Sequence, residues 1–276
     1  MKKRILSALV GLGLGAPLII FMGPYAIYLF TLIISAGCLY EYFGMVMAKD
    51  YSKDIRLFGV LAGTIALFVS IFDRSYFVGT LTALMIVYCL YFLFRAKVYT
   101  KYVGPSDDAK VGKSFSDLTL SIFGIFFFSM FFSYLPLLRD SYDGLQWIVL
   151  LMAVVWLGDS GAFFMGKKYG KTKLYPVISP NKSVEGALGG VLFSLVAAVL
   201  CKLIFFHSLD FIDCFVTGVI GGTFGQLGDL VESMIKRSVA VKDSGYVMPG
   251  HGGFFDRFDG IIFAAPFFYF YVKFFF

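Results

Sequence analysis

The pattern of apolar and polar positions along the chain predicts a bundle of membrane-spanning helices. A helix needs about 20 mostly apolar residues to cross a bilayer, and the sequence offers a series of such runs separated by short polar connections. No connection is long enough to fold by itself. We therefore predict an all-α polytopic membrane protein with nine spans, at approximately 5–22, 25–47, 57–73, 76–95, 118–137, 145–165, 186–206, 211–233 and 260–276.

The distribution of lysine and arginine predicts how these spans are oriented. In membrane proteins the cytoplasmic connections carry the excess of both residues. With the N-terminus in the cytoplasm, 20 of the 24 lysine and arginine residues fall in cytoplasmic segments and four fall outside. We therefore predict a cytoplasmic N-terminus and cytoplasmic loops at 166–185 and 234–259. The net charge of +6 then reflects topology and attraction to anionic headgroups, and does not indicate a nucleic-acid partner.

The composition agrees with a membrane protein and argues against other classes. Hydrophobic residues make up 59% of the chain and charged residues 15%, unlike the averages of soluble domains. The four cysteines lie singly in apolar runs without C-x-x-C spacing, so we predict neither a disulfide framework nor a zinc site. The first apolar run continues past Ala16-Pro17 into the next span, which favours a retained helix over a cleaved signal peptide.

The two halves of the chain differ in where their charges lie. In residues 1–137 the one acid well inside a span is Glu41, which we expect to reach water at the span's cytoplasmic end. In residues 138–276, Asp159 falls inside an apolar run, where a charge needs a cationic partner or water. We therefore predict an N-terminal scaffold of about five helices over 1–137 and a catalytic region of about four helices over 138–276, with no separate soluble domain.

Span eight combines small residues with two acids at its cytoplasmic end. Asp229 and Glu232 are three residues apart on one helical face, and two such carboxylates suit Mg²⁺, a hard cation that takes oxygen ligands. For Glu232 a salt bridge to Lys236, four residues later, is an open alternative. Small residues at this spacing let helices approach closely. We predict that packing role for Gly218, Gly221, Gly222, Gly225 and Gly228.

The loop that follows span eight concentrates charge and glycine. Residues 233–259 hold four basic residues, three aspartates, four glycines and one of the two histidines. Basic side chains and glycine N–H groups bind phosphate oxygens, and Mg²⁺ held by aspartates bridges them. The other loop offers Ser179, Lys182 and Ser183 just before a span whose N-terminus favours anions. The two loops together predict a phosphate-bearing substrate, without any P-loop pattern.

Two stretches carry motif residues at fixed spacing. In 233–259 they are Ser233, Lys236, Arg237, Lys242, Asp243, Gly245, Met248, Pro249, His251, Gly252, Gly253, Asp256, Arg257 and Asp259. In 156–190 they are Asp159, Ser179, Pro180, Lys182, Ser183, Glu185 and Gly186. The first set matches fourteen fixed positions of the signature of phosphatidate cytidylyltransferases, and the chain resembles that family. The second stretch resembles the family less closely, with Phe163 and Val184 where it commonly has tyrosine and tryptophan.

The resemblance implies the activity and the roles of the site residues. The implied reaction converts phosphatidic acid and CTP to CDP-diacylglycerol and pyrophosphate, in phospholipid biosynthesis, by direct in-line attack of the lipid phosphate on the CTP α-phosphorus. It implies Mg²⁺, with a monovalent cation such as K⁺ beside it. The implied metal ligands are Asp229 and Asp256, then Asp243 and Asp259. The expected catalytic set adds Lys236, Arg237, Lys242, His251 and Arg257. The expected substrate-binding set is Asp159, Ser179, Lys182, Ser183, Glu185, Ser233, Gly252 and Gly253.

Because the chain is compact, we expect a multi-pass protein of the bacterial plasma membrane. Its expected partners are CTP, phosphatidic acid and the bilayer, and we also expect a homodimer. Two other functions stay open at this point. One is a dolichol-kinase-like lipid kinase, which would transfer the terminal phosphate of CTP. The other is a transporter with Asp159, Asp229 and Glu232 along a cation path, although transporter sites lie at mid-membrane and these acids lie near helix ends.

Overall fold

The structure is a computed structural model that describes residues 23–47, 53–101, 108–245 and 252–276. Within these ranges it contains nine α-helices and one two-stranded antiparallel sheet. The helices are α1 (Gly23–Val46), α2 (Lys53–Phe72), α3 (Phe77–Lys101), α4 (Asp108–Arg139), α5 (Gly144–Tyr169), α6 (Val184–Ile204), α7 (Phe211–Val216), α8 (Gly222–Ser238) and α9 (Phe255–Phe275). The strands β1 (Lys173–Tyr175) and β2 (Ser179–Ser183) lie between α5 and α6.

Eight helical segments of the described ranges are long and apolar enough to cross a membrane, which confirms the predicted polytopic helical protein. They correspond to predicted spans two to nine. The span Phe211–Ser238 is made of α7, a π-helical turn at Thr217–Gly221, and α8. The predicted first span, 5–22, lies outside the described residues.

The helices extend beyond the apolar runs that predicted them. Helix α4 begins at Asp108, ahead of the predicted 118, and α9 begins at Phe255, ahead of the predicted 260. Backbone hydrogen bonds continue a helix into polar sequence, so hydropathy marks the membrane-crossing part and not the helix end. The predicted loop at 166–185 also contains more order than expected, because α5 continues to Tyr169 and the β1–β2 hairpin follows.

The chain divides into two compact units, and the division falls within α1 and α4. One unit comprises Leu29–Ser133. The other comprises Tyr134–Phe276 together with the described residues up to Tyr28. The division at residue 137 expected from the sequence remains a prediction.

The core of Leu29–Ser133 is aromatic. Tyr42 is buried and lies edge-on to Phe43 and Phe128, with ring centroids 5.5 Å apart in both pairs. Its hydroxyl donates to the carbonyl oxygen of Leu120, 2.9 Å away. A ring that fills space with its body and satisfies its one polar atom suits a helical core. None of the residues predicted for the site belongs to this unit.

The unit containing Tyr134–Phe276 packs through one large aromatic residue and many small ones. Trp147 is fully buried and lies edge-on to the rings of Phe206, Phe268, Tyr271 and Phe276. This aromatic cluster lies at the end of the unit where α5 begins and α9 ends. The small residues lie further along these helices, towards the end of the unit where α5 ends and α9 begins.

The glycines of span eight bring α8 into close contact with its neighbours, as predicted. A Cβ atom added at Gly228 would lie 2.5 Å from the backbone carbonyl oxygen of Asp259 in α9. One added at Gly225 would lie 3.2 Å from the Val155 side chain in α5. The contact at Gly228 leaves no room for a side chain, whereas the one at Gly225 would require Val155 to move by a few tenths of an ångström. The close approach at Gly228 places the acids of α8 beside the first turn of α9.

Candidate active site

A polar cavity of about 1050 Å³ lies in the unit containing Tyr134–Phe276. Its walls come from the C-terminal half of α5, from one face of α8, from the N-terminal turns of α6 and α9, from the hairpin, and from the segments after α8 and before α9. Among the described residues, six acids and four bases line it. The acids are Asp159, Asp229, Glu232, Asp243, Asp256 and Asp259, and the bases are Lys167, Lys182, Lys236 and Arg257.

Three of these acids form a compact cluster. One carboxylate oxygen from each of Asp229, Glu232 and Asp259 lies within 4.8 Å of the other two. Glu232 is only 2% exposed, and its Oε1 atom has no hydrogen-bond partner among the described residues. Like charges at this distance repel, and a buried carboxylate oxygen without a partner is costly. The three oxygen atoms are therefore arranged so that they could hold a cation.

Lys236 joins this cluster to Asp256. Its ammonium group lies 2.7 Å from Glu232 Oε2 and 2.6 Å from Asp256 Oδ1. The salt bridge between Glu232 and Lys236, which the sequence left as an open alternative, is thus present. Since Lys236 is only 12% exposed and serves two carboxylates, its charge is already neutralised within the protein.

Asp256 has a full set of hydrogen-bond donors. Besides Lys236, its Oδ2 atom accepts from the backbone N–H of Ser244 at 3.2 Å, from the Ser244 hydroxyl at 3.0 Å and from the backbone N–H of Gly253 at 2.8 Å. These bonds fasten the segment after α8 and the segment before α9 to one carboxylate. Asp256 therefore holds the wall of the cavity in place. Ser244, which sequence reasoning missed, occupies a position that the family signature leaves open.

Lys182 reaches across the cavity to the cluster. Its Nζ atom lies 2.5 Å from Asp229 Oδ2, and the two side chains are 25% and 37% exposed. Lys182 belongs to β2, and the next residue, Ser183, caps α6 by accepting a hydrogen bond from the backbone N–H of Gly186 at 3.1 Å. The predicted approach of this loop to the acids of span eight is therefore present.

Glu185 has a different place from the one expected. Its carboxylate accepts hydrogen bonds from the backbone N–H groups of Lys171 and Thr172, at 3.1 Å each. It thereby fixes the turn between α5 and the hairpin and does not line the cavity. A carboxylate in the first turn of α6 is also favoured by the helix dipole.

Arg237 also departs from its expected role. Its guanidinium group donates to the backbone carbonyl oxygens of Ile178, at 3.3 Å, and Val241, at 3.0 Å. These bonds connect the hairpin to the segment after α8. Arg237 and Lys242 are absent from the described lining of the cavity, so two of the cations assigned to phosphate from the sequence do not face it.

The structure brings together most, but not all, of the residues expected from the sequence. His251 lies outside the described residues. The Ser233 hydroxyl is 3.5 Å from Asp229 Oδ1, behind the cluster. The expected residues that line the cavity are Asp159, Lys182, Ser183, Asp229, Lys236, Asp243, Gly252, Asp256, Arg257 and Asp259. Those outside its described lining are Ser179, Glu185, Ser233, Arg237, Lys242 and Gly253.

Several cavity residues are absent from the site residues that the resemblance implies. One is Glu232, although its position on the helical face of Asp229 already suggested a Mg²⁺ ligand. Lys167 and Phe163 lie together on α5, with the Lys167 ammonium group 6.0 Å from the centre of the Phe163 ring, and both line the cavity. Phe163 is 62% exposed, which fits a ring that faces lipid. Asn181 and Gln226 gave no signal beyond their polarity.

Comparisons with known proteins agree with the resemblance seen in the sequence. A family model described as "Cytidylyltransferase family" matches residues 2–275. The phosphatidate cytidylyltransferase of Staphylococcus haemolyticus is 34% identical over 266 residues, which cover 96% of each chain. That of Staphylococcus aureus strain COL is 32% identical over 270 residues, with the same coverage. That of Bacillus subtilis is 44% identical over 159 residues, covering 57% of this chain and 59% of the relative.

Proposed function

The chain belongs to the cytidylyltransferase family, and from this we propose that it converts phosphatidic acid and CTP to CDP-diacylglycerol and pyrophosphate. The observation that carries the proposal is the cavity at one end of the helices, where the acidic cluster faces basic side chains. Both substrates are polyanions, and one of them stays in the bilayer. A charged cavity at helix ends, with the exposed ring of Phe163 on its wall, suits a reaction between them.

The charges around the cavity support a requirement for a divalent cation. Among the described lining residues the acids exceed the bases by two, so phosphate-bearing substrates would be repelled without added positive charge. Asp229, Glu232 and Asp259 offer only oxygen ligands, which Mg²⁺ prefers, and the unpartnered Glu232 Oε1 fits such a ligand set. We propose that these three residues hold Mg²⁺. A bound Mg²⁺ would supply positive charge to phosphate oxygens in the transition state.

This ligand set adds Glu232 to the set implied by the resemblance and leaves out Asp256 and Asp243. Asp229 and Asp259 belong to both sets. Asp256 already accepts four hydrogen bonds. The monovalent cation implied by the resemblance, and a ligand role for Asp243, stay predictions.

The proposed reaction needs positioning and charge more than proton transfer. An oxygen of the lipid phosphate forms a bond to the CTP α-phosphorus, while the bond between that phosphorus and the oxygen bridging to the β-phosphate breaks, and pyrophosphate leaves. The attacking oxygen is already anionic at neutral pH, so no general base is required. We propose that Lys167, Lys182 and Arg257, which face the cavity, bind phosphate oxygens. Lys236 instead positions Glu232 and Asp256.

We propose that the protein lies in the bacterial plasma membrane with this cavity on the cytoplasmic side, where CTP is present. The orientation rests on the lysine and arginine distribution. A homodimer stays a prediction.

The proposal is tested by following label from CTP into lipid. The purified full-length protein is incubated with phosphatidic acid, Mg²⁺ and CTP labelled either in the cytidine or in the terminal phosphate. We expect cytidine label, and no terminal phosphate, in chloroform-extractable lipid. The Asp259→Asn variant should lose this activity, whereas Lys173→Met, in the hairpin but outside the described lining of the cavity, should keep it.

The opposite labelling pattern would contradict the proposal. Terminal phosphate in lipid would identify a CTP-dependent lipid kinase. If neither label enters lipid although the protein melts cooperatively, the proposed cytidylyltransferase activity is excluded.

A further inference from the structure

The geometry points to a second role for Lys182, which rests on the proposed function because it concerns the same site. We propose that the Lys182 ammonium group neutralises Asp229 while the cluster holds no divalent cation, and that it leaves Asp229 for a substrate phosphate when the cation binds. Lys182 would then be exchanged between two partners. Lys182 would therefore bind phosphate only after the cation is bound.

The starting point is the ion pair itself. Lys182 Nζ lies 2.5 Å from Asp229 Oδ2, and Asp229 is a member of the three-acid cluster. Of the other two acids, Glu232 is paired with Lys236. Lys182 thus adds a second positive charge to a cluster of three negative ones, at a ligand atom that a cation would share or compete for.

The backbone around Lys182 is fixed while its side chain can move. Ser183, the neighbouring residue, pairs with Lys173 in the hairpin and caps α6 through Gly186. Glu185 holds the start of the hairpin through the backbone of Thr172. The Lys182 side chain, by contrast, is 25% exposed and lines the cavity. A lysine has a flexible stem of four carbons, so an exchange of partners requires only side-chain rotation.

Electrostatics gives the exchange its direction. A dication at Asp229, Glu232 and Asp259 places two positive charges beside the ammonium group on the same carboxylate, and the two repel each other. At the same time the phosphates of a nucleotide offer Lys182 a new anionic partner. Cation binding therefore weakens the Lys182–Asp229 pair, and by linkage the pair weakens cation binding to the same extent.

The inference predicts opposite effects of one substitution on two ligands. In Lys182→Met the competing charge is gone, so a divalent cation should bind more tightly. The same variant lacks a phosphate donor, so CTP should bind more weakly once the cation is present. If Lys182 only supported Asp229, its loss would leave cation affinity unchanged or reduced.

The experiment measures Mn²⁺ binding to the full-length protein in detergent, from the signal of free Mn²⁺ in electron paramagnetic resonance. We expect Lys182→Met to lower the Mn²⁺ dissociation constant by about 10-fold, within the usual range of coupling between two ligands. Lys182→Arg, which keeps the charge, and Lys173→Met, which removes a charge from the same hairpin outside the described lining, should match the wild type. In the presence of Mn²⁺, calorimetry should find CTP bound about 10-fold more weakly by Lys182→Met.

The outcomes separate this inference from the proposed function. An equal or higher Mn²⁺ dissociation constant in Lys182→Met, with a melting temperature near the wild type, overturns the exchange. If that variant is less stable, Lys182→Gln replaces it with the same criterion. A wild-type protein that does not bind Mn²⁺, or an Asp229→Asn variant that binds it as well as the wild type, overturns the proposed cation site and the exchange with it. Tighter Mn²⁺ binding together with weaker CTP binding supports both.

Discussion

Two lysines pair with carboxylates of α8, and they differ in how firmly the protein holds them. Lys236 lies between Glu232 and Asp256, which are 2% and 11% exposed. Among the residues that the structure describes, Lys182 pairs with Asp229, which is 37% exposed. A buried charge with two partners is strongly tied to the fold, whereas a half-exposed pair contributes little to stability. The comparison shows how one site can use lysine in two ways. Lys236 holds the fold together, and Lys182, as we propose, exchanges one partner for another.

The difference follows from which elements carry the two residues. Lys236 lies on α8 one turn after Glu232, and the glycine contact at Gly228 brings α9 and Asp256 against the same helix. Lys182 lies on a short hairpin, and its side chain reaches Asp229 of α8 across the cavity. Helix packing therefore fixes the first pair, and the second depends on a side chain that crosses open space.

The largest expected effect is the loss of Lys236. In Lys236→Met, Glu232 and Asp256 keep their negative charges in a buried place with no ammonium group between them. Breaking a buried pair in this way costs about 3–5 kcal/mol, so we expect a corresponding loss of unfolding free energy. Chemical denaturation in detergent measures it.

Lys182→Met is the matched control for this prediction, because it makes the same chemical change in the more exposed pair. It should cost less than about 1 kcal/mol. Equal losses of unfolding free energy in the two variants would contradict the distinction between them.

The next effect distinguishes Asp256 from Asp229. Asp256→Asn replaces a carboxylate oxygen that accepts from surrounding donors with an amide group that donates, so at least one bond is lost. We expect the free energy of unfolding to fall by about 1–3 kcal/mol. Asp229→Asn should leave stability nearly unchanged and weaken Mn²⁺ binding. Both variants are examined by denaturation and by Mn²⁺ titration. A stable Asp256→Asn variant that loses Mn²⁺ would restore Asp256 as the ligand implied by the sequence.

The glycine contact that assembles the cluster gives an effect of about the same size. In Gly228→Ala the new Cβ atom would meet the Asp259 carbonyl oxygen at 2.5 Å and the Phe263 Cβ atom at 2.7 Å. Moving α8 and α9 apart should cost about 1–3 kcal/mol and weaken Mn²⁺ binding, since Asp229 and Asp259 separate. Gly79→Ala in α3 is the control, because nothing lies within 4 Å of its added Cβ atom. Unchanged Mn²⁺ affinity in Gly228→Ala would argue against packing as the cause of the cluster.

The sequence could predict the membrane fold and most of the charged residues that line the cavity, because apolar runs and charged motifs are local signals. It could not assign each charge to a partner. Asp256 and Asp259 are three residues apart in one motif, yet one is surrounded by hydrogen-bond donors and the other faces two acids. That difference depends on how α9 packs against α8 and on where the Ser244 backbone lies. Neither can be read from residue spacing.

Arg237 shows the same limit and gives the smallest expected effect. The motif suggests a phosphate ligand, but its guanidinium group donates to the carbonyl oxygens of Ile178 and Val241. We therefore expect Arg237→Gln to lower the unfolding free energy by about 1 kcal/mol and to change CTP affinity only slightly. Lys167→Gln, on the cavity wall, should leave the unfolding free energy unchanged and weaken CTP binding. Calorimetric titration with CTP, beside melting curves, decides between them. An Arg237→Gln variant that keeps its stability and loses CTP would show that this side chain leaves the hairpin to bind substrate, so that it exchanges partners as Lys182 does.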